Sequence, residues 1–304
     1  MNVNGVPVDI PSLSKGRSQE WGRVVGKHIG DSVQAWISAA AVCGIRQDLN
    51  LSEAEAKLAL LPIAASFAQV PISSFPVGAL CEGGSGRLYF GANIEIPHTS
   101  LDNTIHAEQA SIVNALFHEE RSIQSIAVSA TPCGYCRQFL NELEEAGTIA
   151  ILIPGQPEQP FSNLLPFAFG AKELGRDSGN MNRFPNRHLR LCGPNSADLL
   201  VKSALSAANR SYAPYTKQYA GIAMRLQSGV VICGSYLESA AYNPSVSPIQ
   251  AAMVNLILHG YAFRDIQKAV LVQMGNSLCD WEGATRNTLK ALGEKIELQV
   301  YCIH

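Results

Sequence analysis

The chain has 304 residues, 47% hydrophobic and 16% charged, enough apolar material for a sizeable core, and at about 100–200 residues per domain it is expected to form two domains. A formal net charge of −2 argues against broad electrostatic attraction to nucleic acid, which needs many Lys and Arg contacts to phosphate, though not against a local basic groove. The purest apolar runs, residues 39–45 and 149–154, fall far short of the roughly 18–20 residues that span a bilayer, and residues 1–9 lack the basic-then-apolar pattern of a secretory signal, so neither a membrane nor a secretory route is expected.

The first fifty residues read as mostly helical, because Trp21, Val24, Val25 and His28 recur at helical spacing and residues 33–42 continue apolar. Ser52 with Glu55 three residues later forms a capping box, so a helix starts there, and Pro62 should kink or end it. Residues 75–80 and 86–93 read as two strands joined by a Gly-rich turn. A helix is expected over 105–120, a strand over 123–130, a helix over 133–146 and a strand over 149–153. This alternation fits a sheet with helices on its faces.

Residues 154–188 break the pattern and read as a linker, rich in Pro, Gly and Asn. Part of it should still pack, because Leu164, Leu165, Phe167 and Phe169 lie inside it. Beyond it the chain resembles its own first half. At an offset of 143, Pro71 meets Pro214, Gly78 meets Gly221, Gly86 meets Gly229, Gly91 meets Gly234 and Glu95 meets Glu238. At an offset of 149, Gly134 meets Gly283, Arg137 meets Arg286 and Leu140 meets Leu289. Together these matches indicate a duplicated domain.

Of the eight cysteines only Cys133 and Cys136 stand close together, which suits one metal or redox pair and not a disulfide framework. At three-residue spacing on a helix both sulfurs face one side. Thr131 is a plausible N-cap and Pro132 suits the first helical position, which would set the thiolates at a helix N-terminus. A bare C-x-x-C fits a redox pair or a structural zinc site equally well. His106 as a third ligand changes the balance: three protein ligands leave one tetrahedral position for water, the mark of a catalytic zinc. Glu108, two residues on, can reach that water without being a ligand. The second half lacks the set, with Ser247 near the His106 position, Ile249 for Glu108, and Glu282 and Thr285 for Cys133 and Cys136. The other histidines, at 28, 98, 118, 188, 259 and 304, have no such company and read as surface or structural residues.

His106-Ala107-Glu108 with Pro132-Cys133-Gly134-Tyr135-Cys136 matches the H-x-E and P-C-x-x-C signature already described for zinc deaminases. Over nearly its whole length the chain resembles the larger, homodimeric type of cytidine deaminase with a degenerate second deaminase domain. The resemblance implies a three-layer α/β domain, a mixed sheet with helices on both faces, duplicated and preceded by a small helical region. The expected division is a helical region over 1–48, a catalytic domain over 49–154, a linker over 155–188 and a non-catalytic copy over 189–304. It also implies one Zn2+ per chain on His106, Cys133 and Cys136, with Glu108 as the proton-transferring residue. Phe75-Pro76-Val77-Gly78-Ala79 and Asn93-Ile94-Glu95 match further family motifs, so Phe75 is expected against the pyrimidine and Asn93 and Glu95 on the ribose 3′-hydroxyl. Ala168-Phe169-Gly170 matches a segment that reaches the partner subunit's site, although Ala171 stands where the family often has Pro.

The implied activity is hydrolytic deamination of cytidine and 2′-deoxycytidine to uridine and 2′-deoxyuridine with release of ammonia, in pyrimidine salvage. A cytoplasmic homodimer with a small nucleoside substrate and no stable nucleic-acid partner is expected. An RNA- or DNA-editing cytosine deaminase shares the chemistry, and a non-catalytic zinc-stabilised binding module shares the fold. Glu108 separates the last of these, because a structural zinc has no use for it.

Overall fold

The computed structural model describes residues 2–3, 6–7, 15–30, 35–144, 146–183, 187–194, 196–293 and 296–304. A two-residue antiparallel pair, β1 (Asn2–Val3) and β2 (Val6–Pro7), precedes α1 (Lys15–Ile29). Helix α1 buries Trp21, Val24 and Val25, the residues whose spacing predicts it. After β3 (Trp36–Ile37), α2 (Ala39–Leu49) starts at Ser38, whose side chain accepts from the Ala41 amide, and stops at Asn50 in the left-handed region, φ 50°. Asp48 ties the two helices, accepting from Lys27 Nζ at 2.7 Å and lying 3.0 Å from His28 Nε2.

Helix α3 (Glu53–Ala65) carries the whole capping box: the Ser52 amide donates to Glu55 Oε2 at 2.8 Å and the Glu55 amide to Ser52 Oγ at 3.2 Å. Pro62 does not end this helix, which runs on to Ala65. The proline removes one amide from the last turn, a loss of about 3 kcal/mol. Burial of Leu60, Leu61, Ile63 and Ala64 around it outweighs that, at about 1.5–3 kcal/mol for each large side chain.

The first half continues with β4 (Gly78–Gly83), β5 (Leu88–Ala92), α4 (Ala107–Phe117), β6 (Ile123–Val128), α5 (Gly134–Leu140), β7 (Ala150–Leu152) and β8 (Gln159–Pro160). Its sheet runs β3-β5-β4-β6-β7-β8, antiparallel throughout except for the parallel pair β6–β7. Residues 75–77, expected within a strand, form a loop instead, and the helix expected over 133–146 ends at Leu140 and continues in turns. The register fixes where the helices lie. Gly78 pairs with Ala92 and Ala79 with Gly91, so Gly78 and Gly91 face opposite sides of the sheet. A Cβ on Gly78 would meet the Ala65 amide nitrogen of α3 at 2.4 Å, and one on Gly91 the Ala107 carbonyl of α4 at 2.2 Å. Helices α3 and α4 therefore cover opposite faces.

The second half repeats this plan with α6 (Leu199–Asn209), β9 (Ala220–Leu226), β10 (Val231–Ser235), α7 (Pro248–Leu258), β11 (Ile266–Met274), α8 (Trp281–Leu292) and β12 (Glu297–Ile303). Its order β10-β9-β11-β12 reproduces β5-β4-β6-β7, including the parallel last pair. Gly221 and Gly234 take the places of Gly78 and Gly91: their Cβ atoms would meet Ala208 N and Pro248 O, each at 2.2 Å. The fold is thus a duplicated α/β domain, each copy a mixed sheet between helices, with a helical N-terminal region.

The halves meet through α4 and α7 across an approximate two-fold axis. Gln109 Nε2 donates to the Pro244 carbonyl at 2.9 Å, and Gln250 Nε2 returns the contact to the Asp102 carbonyl at 3.0 Å. The rings of His118 and His259 stack with centroids 5.5 Å apart and planes 10° from parallel. Buried apolar residues of both halves, from Trp21 to Leu289, form one continuous cluster. Part of the expected linker belongs to the first half: β8 pairs with β7, and Phe161 and Leu164 are buried, while Phe167 is fully exposed.

Candidate active site and metal centre

Two helix N-termini converge on one point. His106 is the N-cap of α4, Cys133 is the N-cap of α5, and Cys136 lies one turn further on. His106 Nδ1 lies 3.4 Å from Cys133 Sγ and 3.3 Å from Cys136 Sγ, and the three donor atoms all fall within 4.8 Å of one another. Tetrahedral ligands with Zn–S of about 2.3 Å and Zn–N of about 2.0 Å stand roughly 3.5 Å apart, so this set fits zinc in both spacing and chemistry. Helix α5 begins two residues later than expected: Cys133, and not Thr131, is its N-cap, and Pro132 lies outside it. Arg137 holds this approach, its Nε donating to the Pro132 carbonyl at 2.8 Å.

The charges of the three groups are coupled. The Cys133 thiol is drawn down to about 3, first by the Cys136 thiol and then by His106. His106 is raised, chiefly by its bond to Cys133. Cys136 is pushed well above the ordinary thiol range by the charged sulfur beside it and by burial. A divalent cation removes that conflict, since it lets both sulfurs ionise against one centre. Glu108, in the first turn of α4, is only 4% exposed, and burial raises its carboxyl above the ordinary range. It is thereby prepared to hold a proton.

Asn93 and Glu95 lie just past β5 and bind their own chain. Asn93 Oδ1 accepts from the Val77 amide at 2.8 Å, and its Nδ2 donates to the Phe75 carbonyl at 2.9 Å. Glu95 accepts from the Ile72 and Ser73 amides at 2.8 and 2.9 Å and from the Ser73 hydroxyl at 2.5 Å. Together they shape the loop that presents Phe75, which is 61% exposed. In the second half Glu238 repeats the Glu95 pattern, accepting from the Tyr215 and Thr216 amides and the Thr216 hydroxyl. This carboxylate therefore has a loop-holding job in both halves. Phe169 lies beside the far end of α5, where its carbonyl accepts from Gln138 and Asn141; its ring is half-exposed and is not gathered with the metal trio.

The corresponding place in the second half is filled. Tyr236 and Trp281 stand for Asn93 and Pro132, and their rings pack with centroids 4.5 Å apart. Ser247, in the His106 position, serves as a helix cap for α7. Sequence reasoning passed over Gln109, Tyr135 and Glu142. The Gln109 carboxamide oxygen accepts from the His106 amide at 3.2 Å while its nitrogen reaches Pro244. Tyr135, between the two cysteines, donates its hydroxyl to the Asn243 carbonyl. Their partners in the second half lie 135 residues from Gln109, 108 from Tyr135 and 70–98 from Glu142, and no local pattern signals those contacts.

Comparison with known proteins bears on the same residues. Two family models, each described as a cytidine and deoxycytidylate deaminase zinc-binding region, match residues 52–152 and 161–286. The cytidine deaminase of Vibrio atlanticus (strain LGP32) is 38% identical over 275 residues, covering 90% of this chain and 92% of its own. The chain belongs to the cytidine deaminase family. The cytidine deaminase of Shewanella sp. (strain MR-4) is 43% identical over 263 residues, 86% of this chain and 87% of its own, and that of Proteus mirabilis (strain HI4320) is 41% identical over 263 residues, 86% and 88%. This family is zinc-dependent, and in this member the second matched region has the fold without the ligand set. Among the described residues no helix is long and apolar enough to cross a membrane.

Proposed function

We propose that this cytidine deaminase hydrolyses cytidine and 2′-deoxycytidine to uridine and 2′-deoxyuridine with release of ammonia, as a pyrimidine-salvage activity. The observation that carries the reading is the convergence of His106, Cys133 and Cys136 beside a buried Glu108 whose carboxyl burial raises above its ordinary range. His106, Cys133 and Cys136 would hold the zinc. Bound there, zinc supplies Lewis acidity that lowers the pKa of water toward about 7. Glu108 takes a proton from the attacking water, passes it to N3 of the ring and then assists the departing amine. Its buried setting suits both directions of transfer.

Phe75 lies against the pyrimidine, and Asn93 and Glu95 receive the ribose 3′-hydroxyl from the loop they already shape. Phe169 reaches the partner's site in a homodimer. Support for the dimer comes from the exposed aromatic rings Phe75, Phe167 and Phe169. The net charge of −2 favours a free nucleoside over a nucleic-acid substrate. Eight free thiols suit a reducing cytoplasm. The proposed division is a helical region over 1–48, a catalytic domain over 49–154, a connecting segment over 155–188 and a non-catalytic copy over 189–304.

Ultraviolet assay of the purified protein with cytidine, deoxycytidine, cytosine and adenosine tests the reading. Turnover of the two cytosine nucleosides is expected. Absence of both activities in zinc-loaded protein refutes it.

A further inference from the structure

The two halves contact each other in nearly equivalent ways, but the equivalence breaks at one place. Across the approximate two-fold axis, the loop over residues 239–246 of the second half corresponds to residues 96–105 of the first, and α8 corresponds to α5. On the side with the metal trio, the loop is fastened to α5. The Tyr135 hydroxyl donates to the Asn243 carbonyl. The fully buried Glu142, just past the end of α5, accepts from the Ala240 amide at 2.6 Å, from Tyr215 Oη at 2.8 Å and from Tyr212 Oη at 3.2 Å. All four donor or acceptor partners belong to the second half.

On the opposite side, at the offset of 149, Tyr135 becomes Ala284 and Glu142 becomes Ala291. Neither alanine can make these bonds. The loop there does not close on α8, and a cleft of about 870 Å³ remains, lined by His98, Asp102, Ala284, Asn287, Lys290 and Ala291. The glutamine contacts, Gln109 to Pro244 and Gln250 to Asp102, are kept on both sides, so the general docking of the halves does not require the tyrosine and the glutamate.

We propose that Tyr135 and Glu142 are positioning residues through which the second half holds Cys133 and Cys136 in ligand geometry. The inference rests on the zinc reading given above. Its physical basis is local. Helix α5 has only seven residues, too short to be stable without tertiary support; it carries Cys136, and Cys133 is its N-cap. Tyr135 fixes its first turn against a carbonyl of the second half, and Glu142 fixes the chain just beyond its last against a backbone amide and two tyrosine hydroxyls of that half. Partners of this outer kind set metal affinity because they hold the ligands in orientation, and their loss costs about 10–100-fold in affinity or activity.

The test measures zinc release from the full-length, zinc-loaded protein to a chromogenic chelator at 25 °C, alongside kcat and KM for cytidine. Tyr135→Phe removes a single oxygen and keeps the ring. It is expected to release zinc about tenfold faster, and Tyr135→Phe/Glu142→Gln up to about 100-fold faster. In both, kcat should fall while KM stays within about twofold of wild type, because neither residue is assigned to the substrate. Arg210→Gln is the control: it cuts cross-half bonds to Glu119 and the Leu116 carbonyl at the other end of α4. It should leave zinc release unchanged. Release at the wild-type rate in the double variant, or equal acceleration in Arg210→Gln, overturns the proposal while leaving the zinc reading intact. A wild-type protein that holds no zinc overturns both.

Discussion

Adding one methyl group at Gly91 and at Gly234 applies the same steric insult to the two halves, with different consequences. A Cβ at Gly91 would stand 2.2 Å from the Ala107 carbonyl oxygen and 2.3 Å from the Ser111 nitrogen, and a Cβ at Gly234 would stand 2.2 Å from the Pro248 carbonyl and 2.3 Å from the Ala252 nitrogen. Ordinary contact begins near 3.4 Å, so each helix must retreat by about 1.2 Å, and the obstacles are main-chain atoms that cannot rotate away. Overpacking of this kind destabilises by about 1–3 kcal/mol in either half. In Gly91→Ala the displaced turn carries His106 and Glu108, and a displacement near 1 Å at reacting groups costs about 100-fold in rate. In Gly234→Ala the displaced turn carries Ser247 and Ile249, which have no chemistry to lose. Thermal melts and cytidine turnover of both variants decide the matter. The melts should fall together, while turnover should drop only in Gly91→Ala. Equal turnover in the two variants refutes the reasoning.

Glu108→Ala should retain one zinc per chain by metal analysis while turnover falls by at least about 10²–10⁴-fold; substantial retained activity would remove the proton-transfer role. The wild-type protein should also bind one zinc, since Ile249, Glu282 and Thr285 replace the working set in the second half, and two zincs per chain would contradict that assignment. Burial acts to raise the Glu95 carboxyl, but bonds from Ser73 and the Ile72 amide prevail and hold it below the ordinary 4.5. A depressed carboxyl contributes stability above its unfolded value and loses it as pH falls through the folded one, so the urea midpoint should decline below about pH 4.5, and less steeply in Ser73→Ala. A urea midpoint with the same acid dependence in wild type and Ser73→Ala would count against this account.

The sequence made the site and the duplication legible for physical reasons. His106, Cys133 and Cys136 are readable because tetrahedral N/S chemistry restricts both residue type and spacing, and Glu108 because it stands two residues beyond the histidine. The offset of 143 is readable because Gly78 and Gly221 are forced by backbone approach, and Glu95 and Glu238 by identical loop bonding. What escaped reading depends on tertiary balance. Burial around Pro62 overrode its local penalty. Residues 75–77 left the strand because Asn93 ties them into a loop. In the connecting segment Leu164 is buried and Leu165 packs on the core, as expected for part of 164–169, but Phe161, outside that range, is buried too and Phe167 stands free. Tyr135 and Glu142 were invisible because their partners come from a distant stretch of chain, chosen by the docking of the halves.

The stacked His118 and His259 mark an axis that relates two stretches of a single gene. Had the halves been identical subunits, any change on one side would have appeared on the other, since the same patch serves both partners. Joined in one chain, each side can mutate independently. A tyrosine can stand at 135 while its counterpart at 284 is alanine, so the contacts between the halves need not serve two sites equally and can specialise around one.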